Sequence, residues 1–191
     1  MPMGLRKGFE KDGERWLVKW VLLTPAIWPE IRGNEQNGIK QHPGGWLPNW
    51  IDPENGSVKL KDGDSSRKTN ENRTEWRKRV RSLNCIEASL VSAIIPKPIV
   101  ITGWASPNKD NAGGAKSSHY AVPAGAVYYF EANSEEQAQE LANALNWHGK
   151  GNGTNIENRR SALLGEKGYG IGVCGRWHFY ETSKDVPNHT S

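Results

Sequence analysis

The stretch 161–177 (SALLGEKGYGIGVCGRW) constrains the fold more than any other, because five of its residues are glycine. Glycine accepts positive φ and lets the backbone approach a ligand closely. If the segment is extended, Tyr169, Ile171 and Val173 share one pleat face, and glycines leave space on the other. This pattern predicts room for a bound group, and the adjacent Lys167 favours a phosphate. The alternative is a sharp turn leading into an ordinary strand. The motif matches neither a dinucleotide-binding fingerprint nor a P-loop.

The length and composition limit the class of protein. The 191 residues suffice for one domain, 1–191, with its own core. A mean hydropathy of −0.73 is low, so we expect part of the chain to be loop or to depend on a partner. No apolar run is long enough for a signal peptide or a membrane span, so we expect a cytoplasmic protein without a membrane partner. Cys85 and Cys174 lack any CxxC spacing. We interpret both as buried thiols and expect no metal site and no cofactor.

The first third of the chain contains one strong strand and one long loop. Residues 16–24 are rich in β-formers and predict a strand that ends at Pro25. Residues 29–53 contain many prolines, glycines and asparagines, together with Trp46 and Trp50. A loop of this length is usually functional or disordered, and its tryptophans favour a structured, functional loop.

Residues 54–78 are almost entirely polar, and we expect a basic loop that is mobile at least in part. Between 59 and 81 there are nine Lys and Arg residues against four Asp and Glu residues. This local excess is larger than the net charge of +4 of the whole chain. It predicts either a solvated charged loop or a patch for a nucleic-acid backbone.

The second half predicts an α+β fold with an antiparallel sheet. Patterning indicates one long or bulged strand over 80–95 and further strands over 99–104 and 126–131. A helix begins at Ser134, which forms a capping box with Gln137, and it ends at Gly149. A second helix is predicted over 156–164, and 180–191 is predicted to be a tail. The order fits a ferredoxin-like or RRM-like sheet with helices on one face and long loop insertions, a common RNA platform.

Five segments, in this order, resemble a known family. They are Leu22 to Trp28, Gly45 to Pro48, Ile101 to Trp104, Val122 to Glu131 and Gly165 to Gly175. Together they resemble the second half of Cmr subunit three, a RAMP-superfamily protein of type III-B CRISPR effector complexes. The glycine-rich segment resembles the signature loop of that superfamily.

The resemblance implies a non-catalytic subunit that caps the repeat-derived 5′ tag of the crRNA. It also implies the protein partners, namely the large signalling subunit and the first backbone RAMP subunit of the filament. Family members carry another ferredoxin-like half before the part matched here. A split gene, a shortened member and a fragment all fit, and in the first case a separate chain supplies the N-terminal half.

The residues themselves are suited to binding the tag. Glycine backbone N–H groups and basic side chains can approach phosphates, while Tyr169 or Trp104 can stack on an unpaired base. The predicted RNA-binding residues are Trp104, Lys116, His119, Arg159, Arg160, Gly165, Lys167, Gly168, Tyr169 and Gly170. The alternatives are that Arg159 and Arg160 cover the carbonyls of a helix end and that Tyr169 belongs to the core.

Two other functions remain open from the sequence. A metal-independent crRNA-processing endoribonuclease would need a general acid and a general base, for which His42, His119 and His148 are candidates with Lys116 or Lys167. These histidines form no recognisable arrangement, and we expect no catalytic residue. A pure protein-interaction subunit is the third possibility. We also expect strand 16–24 and the Trp46–Trp50 loop to leave an exposed apolar patch for a partner.

Overall fold

The structure is a computed structural model that describes residues 9–63, 67–107, 109, 112–151 and 153–177. The predicted tail, 180–191, lies outside these residues. The architecture is α+β, with antiparallel sheets and two α-helices. Among the described residues, no helix is long and apolar enough to cross a membrane.

A five-stranded antiparallel sheet forms the centre of the protein. Its middle strand, β2 (Arg15–Leu22), is bordered on one side by β8 (Val127–Ala132), which in turn pairs with β3 (Ala88–Ile94). On the other side, β1 (Glu10–Asp12) pairs with the first half of β2 and β9 (Gly172–Gly175) with its second half. The predicted strand over 16–24 is therefore confirmed as the central strand.

The core lies on one face of this sheet. Val18, Trp20 and Leu22 of β2 are buried on the same face as Tyr128 and Phe130 of β8, as the two-residue period of a strand requires. Trp50 of the long loop and Trp28, directly before that loop, complete the core, because both pack against these aromatic rings. The expectation of an exposed patch here is wrong for β2 and Trp50, although Leu23, directly after β2, is exposed. Trp46 alone of the loop's two tryptophans is exposed, at 53%.

Helix α2 (Glu135–Leu145) covers the core face and confirms the predicted helix. Its buried side is formed by Ala138, Leu141, Ala142 and Leu145. Ser134 caps it by accepting a hydrogen bond from the Gln137 N–H. The Gln137 side chain does not return to the cap, because its Oε1 accepts the Glu87 N–H at 2.7 Å. The helix also ends before the predicted Gly149.

Helix α1 (Arg73–Ser82) corrects two predictions. Residues 80–95 do not form one strand, since α1 extends to Ser82 and β3 follows with a bulge between Leu90 and Ser92. The segment 54–78, predicted as a loop, contains most of this helix. A capping box between Asn72 and Glu75 starts it. None of its residues is buried, so it does not join α2 on the sheet as the predicted fold class required.

Residues 156–164 do not form the predicted helix. Their backbone groups bond to distant segments instead: Glu157 N–H donates to Trp147 O at 2.8 Å and Ala162 N–H to Ile27 O at 3.0 Å. These bonds replace the i to i−4 pattern of a helix. The segment is thereby tied along one side of the core.

A two-stranded ribbon projects from the end of β3. Its base is β4 (Ile99–Ile101) paired with β7 (His119–Ala121), and its outer part is β5 (Trp104–Ala105) paired with β6 (Gly114–Ala115). The ribbon returns to the sheet through β8. Strand signals over 99–104 are confirmed, with a break at Thr102 and Gly103.

Candidate nucleic-acid interface

A cleft of about 740 Å³ lies between the ribbon and the glycine-rich segment. Four of the predicted RNA-binding residues line it: Trp104, Lys116, His119 and Lys167. The other lining residues are Ile101, Thr102, Gly103, Ala105, Gly113, Gly114, Ala115, Ser117 and Leu164. The fold therefore brings four ribbon strands and a turn about fifty residues later in the chain to one surface.

The ribbon pairing sets the positions of three of these side chains. His119 lies opposite Ile101, and Trp104 lies opposite Ala115. The Lys116 N–H donates to Gly103 O at 2.8 Å, which closes the break between the two parts of the ribbon. The Trp104 ring is 71% exposed, so its faces are accessible to a flat ligand.

The opposite wall is a 3-10 turn, Gly165–Lys167, which presents Lys167. Leu164, at its start, has a φ of 57°, a left-handed conformation that a branched residue rarely adopts. Thr24 anchors the end of the turn, because its hydroxyl donates to Gly168 O at 2.8 Å and accepts the Ile171 N–H at 2.9 Å. Strained residues of this kind concentrate at functional sites.

The cleft is basic. Lys116 and Lys167 are exposed, and neither has an ion-pair partner in the described part of the chain. None of the lining residues is Asp or Glu. Two unpaired ammonium groups facing one concave surface attract an anion, and the exposed indole next to them offers a stacking platform.

Arg159 and Arg160 have different environments. The Arg160 guanidinium donates from Nε to Ala144 O, in the last turn of α2, at 2.7 Å and from Nη2 to Asn158 Oδ1 at 3.0 Å. Burial lowers the pKa of Arg160 to about 10. The alternative that it covers a helix end is therefore confirmed for Arg160. Arg159 is exposed and lies next to the turn, close to Gly165.

At Gly170 and Gly172, other parts of the protein occupy the space that a side chain would need. A Cβ on Gly170 would collide with the Ser161 backbone nitrogen, and one on Gly172 would meet the Trp20 indole, with its Cε2 at 2.6 Å. The side chains were expected to alternate between two strand faces from residue 168 onwards. This is wrong, because β9 begins only at Gly172. The space predicted for a ligand is filled here by the core. Tyr169 is half-buried, directly after the turn.

We expect Gly170→Ala to lower the free energy of unfolding by about 2 kcal/mol, through the collision with Ser161 and a φ of 77°. Gly165→Ala is the matched control, because its Cβ would lie an ordinary 3.7 Å from Arg159 Cβ. Urea denaturation followed by circular dichroism measures both. Equal stability of the two variants would contradict the close packing of Gly170.

The other two candidate histidines do not line the cleft. His42 is buried in the long loop, where its Nδ1 accepts the Gly44 N–H at 3.0 Å and its Nε2 therefore donates to Ile51 O at 2.9 Å. His148 packs edge-on against Trp147. Among the described residues, no cluster of three or more His, Cys, Asp and Glu side chains could hold a metal ion. Cys174 is buried as expected, but Cys85 is exposed.

Comparison with known families gives one decisive match. The family model described as CRISPR-associated protein (Cas_Cmr3) matches residues 7–177. The chain belongs to the Cas_Cmr3 family. The predicted relationship to the Cmr3 subunit of type III-B CRISPR complexes is thereby confirmed, and the protein is a subunit of a multi-subunit Cmr complex. No curated protein and no solved structure matched the chain.

In this Cas_Cmr3 family member, sequence reasoning missed part of the cleft. Gly113 and Gly114 line it beside Trp104, and their GG dipeptide is a turn signal that was visible in the sequence. Leu164 also lines it, but a left-handed leucine has no signature in a sequence. Its conformation depends on how the chain is held on either side.

Proposed function

We propose that the chain binds the repeat-derived 5′ tag of the crRNA in this cleft, as a non-catalytic subunit of the Cmr complex. One observation carries the proposal. Trp104, Lys116, His119 and Lys167 come from separate elements and line one surface that has no acidic lining residue.

Each wall of the cleft has its own part in binding. Lys116 and Lys167 contact phosphates from opposite sides, and Trp104 stacks on an unpaired base between them. His119 donates a hydrogen bond to RNA from a ring N–H. Arg159 extends the basic surface beyond the turn, and Gly165 and Gly168 keep the backbone there accessible. Arg160 and Gly170 support the turn from beneath.

The double variant Lys116→Gln/Lys167→Gln is expected to weaken binding of a fluorescently labelled tag RNA. Two lost phosphate contacts should lower the salt dependence, measured as the slope of log K against log salt concentration, by about 1.4. Fluorescence anisotropy at several salt concentrations measures both effects.

The matched control is Lys11→Gln/Lys40→Gln, which removes two exposed lysines outside the cleft. It should leave the slope for tag RNA close to that of the wild type. An unchanged slope in the cleft variant, with the fold intact by circular dichroism, would exclude the cleft as the tag site.

The fold proposed with this function is ferredoxin-like, as in the RAMP superfamily. The strand order β9-β2-β8-β3, antiparallel throughout, supports it, and α2 lies between the third and fourth strands of that unit. Helix α1 departs from the ferredoxin-like pattern. It lies between the first two strands of the unit in sequence, but none of its residues is buried. In this assignment the glycine-rich turn directly precedes the fourth strand.

The endoribonuclease is the competing function, and one observation favours it: His119 lies in the cleft. An acid and a base are both required for metal-independent cleavage, and His42 and His148 lie elsewhere. The same RNA mixtures, run on denaturing gels, separate the two functions. Intact RNA is expected, whereas cleavage that disappears in His119→Ala would establish the enzyme.

The bridging role is part of the same proposal. The large signalling subunit and the first backbone subunit are the protein partners. Exposed apolar side chains of the ribbon support it, since Val100 and Tyr120 pair across β4 and β7 and Tyr120 is 76% exposed. Capture of co-expressed subunits by a tagged chain, with Tyr120→Ser as the variant, tests it. A pure interaction subunit would capture them and bind no RNA.

A further inference from the structure

Helix α1 carries a concentration of positive charge, and none of its residues lines the cleft. Five of its ten residues are Lys or Arg, and Glu75 is its single acidic residue. Glu75 is occupied in the capping box, where its carboxylate accepts the Asn72 N–H at 3.0 Å. The helix therefore presents a net cationic surface.

The two sides of α1 differ. Trp76, Val80 and Arg79 are half-buried on the inner side, where Arg79 forms a two-pronged ion pair with Glu71 at 2.8 and 3.0 Å. Lys61 Nζ binds the C-cap carbonyl of Leu83 at 2.8 Å. These contacts hold the helix in one orientation relative to the chain before and after it.

Arg73, Arg77 and Arg81 lie along an exposed edge of the helix, beside this inner side. They are spaced four residues apart, so they form one stripe with about 6 Å between successive positions along the axis. All three are exposed, and none has an ion-pair partner in the described ranges. Like charges at this spacing destabilise a helix, so the stripe is unfavourable unless an anion neutralises it.

The position of α1 separates it from the cleft. The helix leads through residues 83–87 into the start of β3, whereas the ribbon leaves from the end of β3. A strand of seven residues spans about 23 Å, so the C-terminal end of α1 and the ribbon connect to opposite ends of β3.

We propose that the stripe Arg73, Arg77 and Arg81 is a second RNA-binding surface, which contacts the ribose-phosphate backbone of the crRNA beyond its tag. It rests on the proposed function in that the cleft holds the tag of the same RNA. The chemistry favours a polyanion over a protein, because the stripe concentrates three cationic groups, whereas the centres of protein interfaces are depleted of charged residues. Guanidinium groups bind phosphate through paired N–H donors, without regard to base sequence.

The test is the variant Arg73→Gln/Arg77→Gln/Arg81→Gln in the full chain. Glutamine keeps a helix propensity near that of arginine, and the capping box is untouched. Affinity for full-length crRNA should fall about tenfold, and its salt slope should fall by about 2. Affinity for the short tag RNA should be unchanged. Fluorescence anisotropy measures all three quantities.

Two controls separate charge position from total charge and from folding. Arg15→Gln/Arg32→Gln/Lys40→Gln removes three exposed charges elsewhere and should leave the crRNA slope within about 0.5 of the wild type. Arg73→Lys/Arg77→Lys/Arg81→Lys keeps the charge and should retain most of the affinity. If the triple glutamine variant loses helix signal, Arg77→Gln alone provides the test, with an expected slope change of about 0.7.

The outcomes distinguish this proposal from the proposed function. Wild-type affinity and slope for full-length crRNA in the stripe variant would overturn the second surface and leave the tag site standing. A loss of subunit capture with unchanged RNA binding would overturn it in favour of a protein contact. If the cleft variant binds tag RNA as the wild type does, while the stripe variant shows the expected loss of affinity for full-length crRNA, the tag site alone is refuted.

Discussion

Trp20→Ala is expected to lower the free energy of unfolding by about 3–5 kcal/mol, the range for removing a large buried aromatic side chain. Trp20 is completely buried in the central strand, where its ring packs against Tyr128 and Trp50. Its Nε1 also donates to Leu145 O, at the end of α2, at 3.0 Å. The substitution leaves a cavity against Gly172 and an unsatisfied carbonyl, and it removes the hydrogen bond that joins β2 to the end of α2.

Urea denaturation followed by circular dichroism measures this loss. Trp104→Ala is the matched control, because it deletes the same side chain at a site that is 71% exposed. Its free energy of unfolding should stay within about 0.5 kcal/mol of the wild type. A loss below about 1 kcal/mol in Trp20→Ala would contradict a core centred on this residue.

Trp104→Ala should in turn weaken binding of the tag RNA by about 1–3 kcal/mol, roughly 5- to 150-fold, if one base stacks on the indole. The expected loss comes from the missing stacking surface, since the variant keeps both lysines of the cleft. Its salt slope should therefore remain that of the wild type, unlike that of the lysine variant.

Two further variants test whether the loss of affinity comes from base stacking on the Trp104 ring. Trp104→Phe keeps an aromatic face and should recover most of the affinity. Trp46→Ala removes a tryptophan that is also exposed but lies outside the cleft, and it should bind tag RNA normally. Equal affinity of Trp104→Ala and Trp46→Ala would show that no base stacks at the cleft.

Together the two tryptophan variants separate stability from binding. Trp20 and Trp104 are indistinguishable by residue type, and each belongs to a β-strand. One is enclosed by both a helix and a loop, and the other projects from a ribbon. Their opposite expected effects follow from that difference in environment alone.

The candidate site was only partly predictable for the same reason. Lys167 and Trp104 were identifiable as a basic and an aromatic residue beside glycines. That they face one cleft with Lys116 and His119 depends on the ribbon folding back over the turn at Leu164. The adjacent Arg159 and Arg160 looked equivalent in sequence, and the contact of Arg160 with Ala144 O distinguishes them.

The sequence by itself determined the elements whose signals are local. The β-forming residues of β2, the Ser134 cap with the apolar period of α2, and the ordered family motifs needed no tertiary information. The tertiary structure alone decided the others. The helix predicted over residues 156–164 does not form, because the backbone there hydrogen-bonds to the distant Trp147 and Ile27 and not to local partners. The role of Gly172 was decided by the Trp20 ring that occupies the space beside it, a contact between residues more than 150 positions apart.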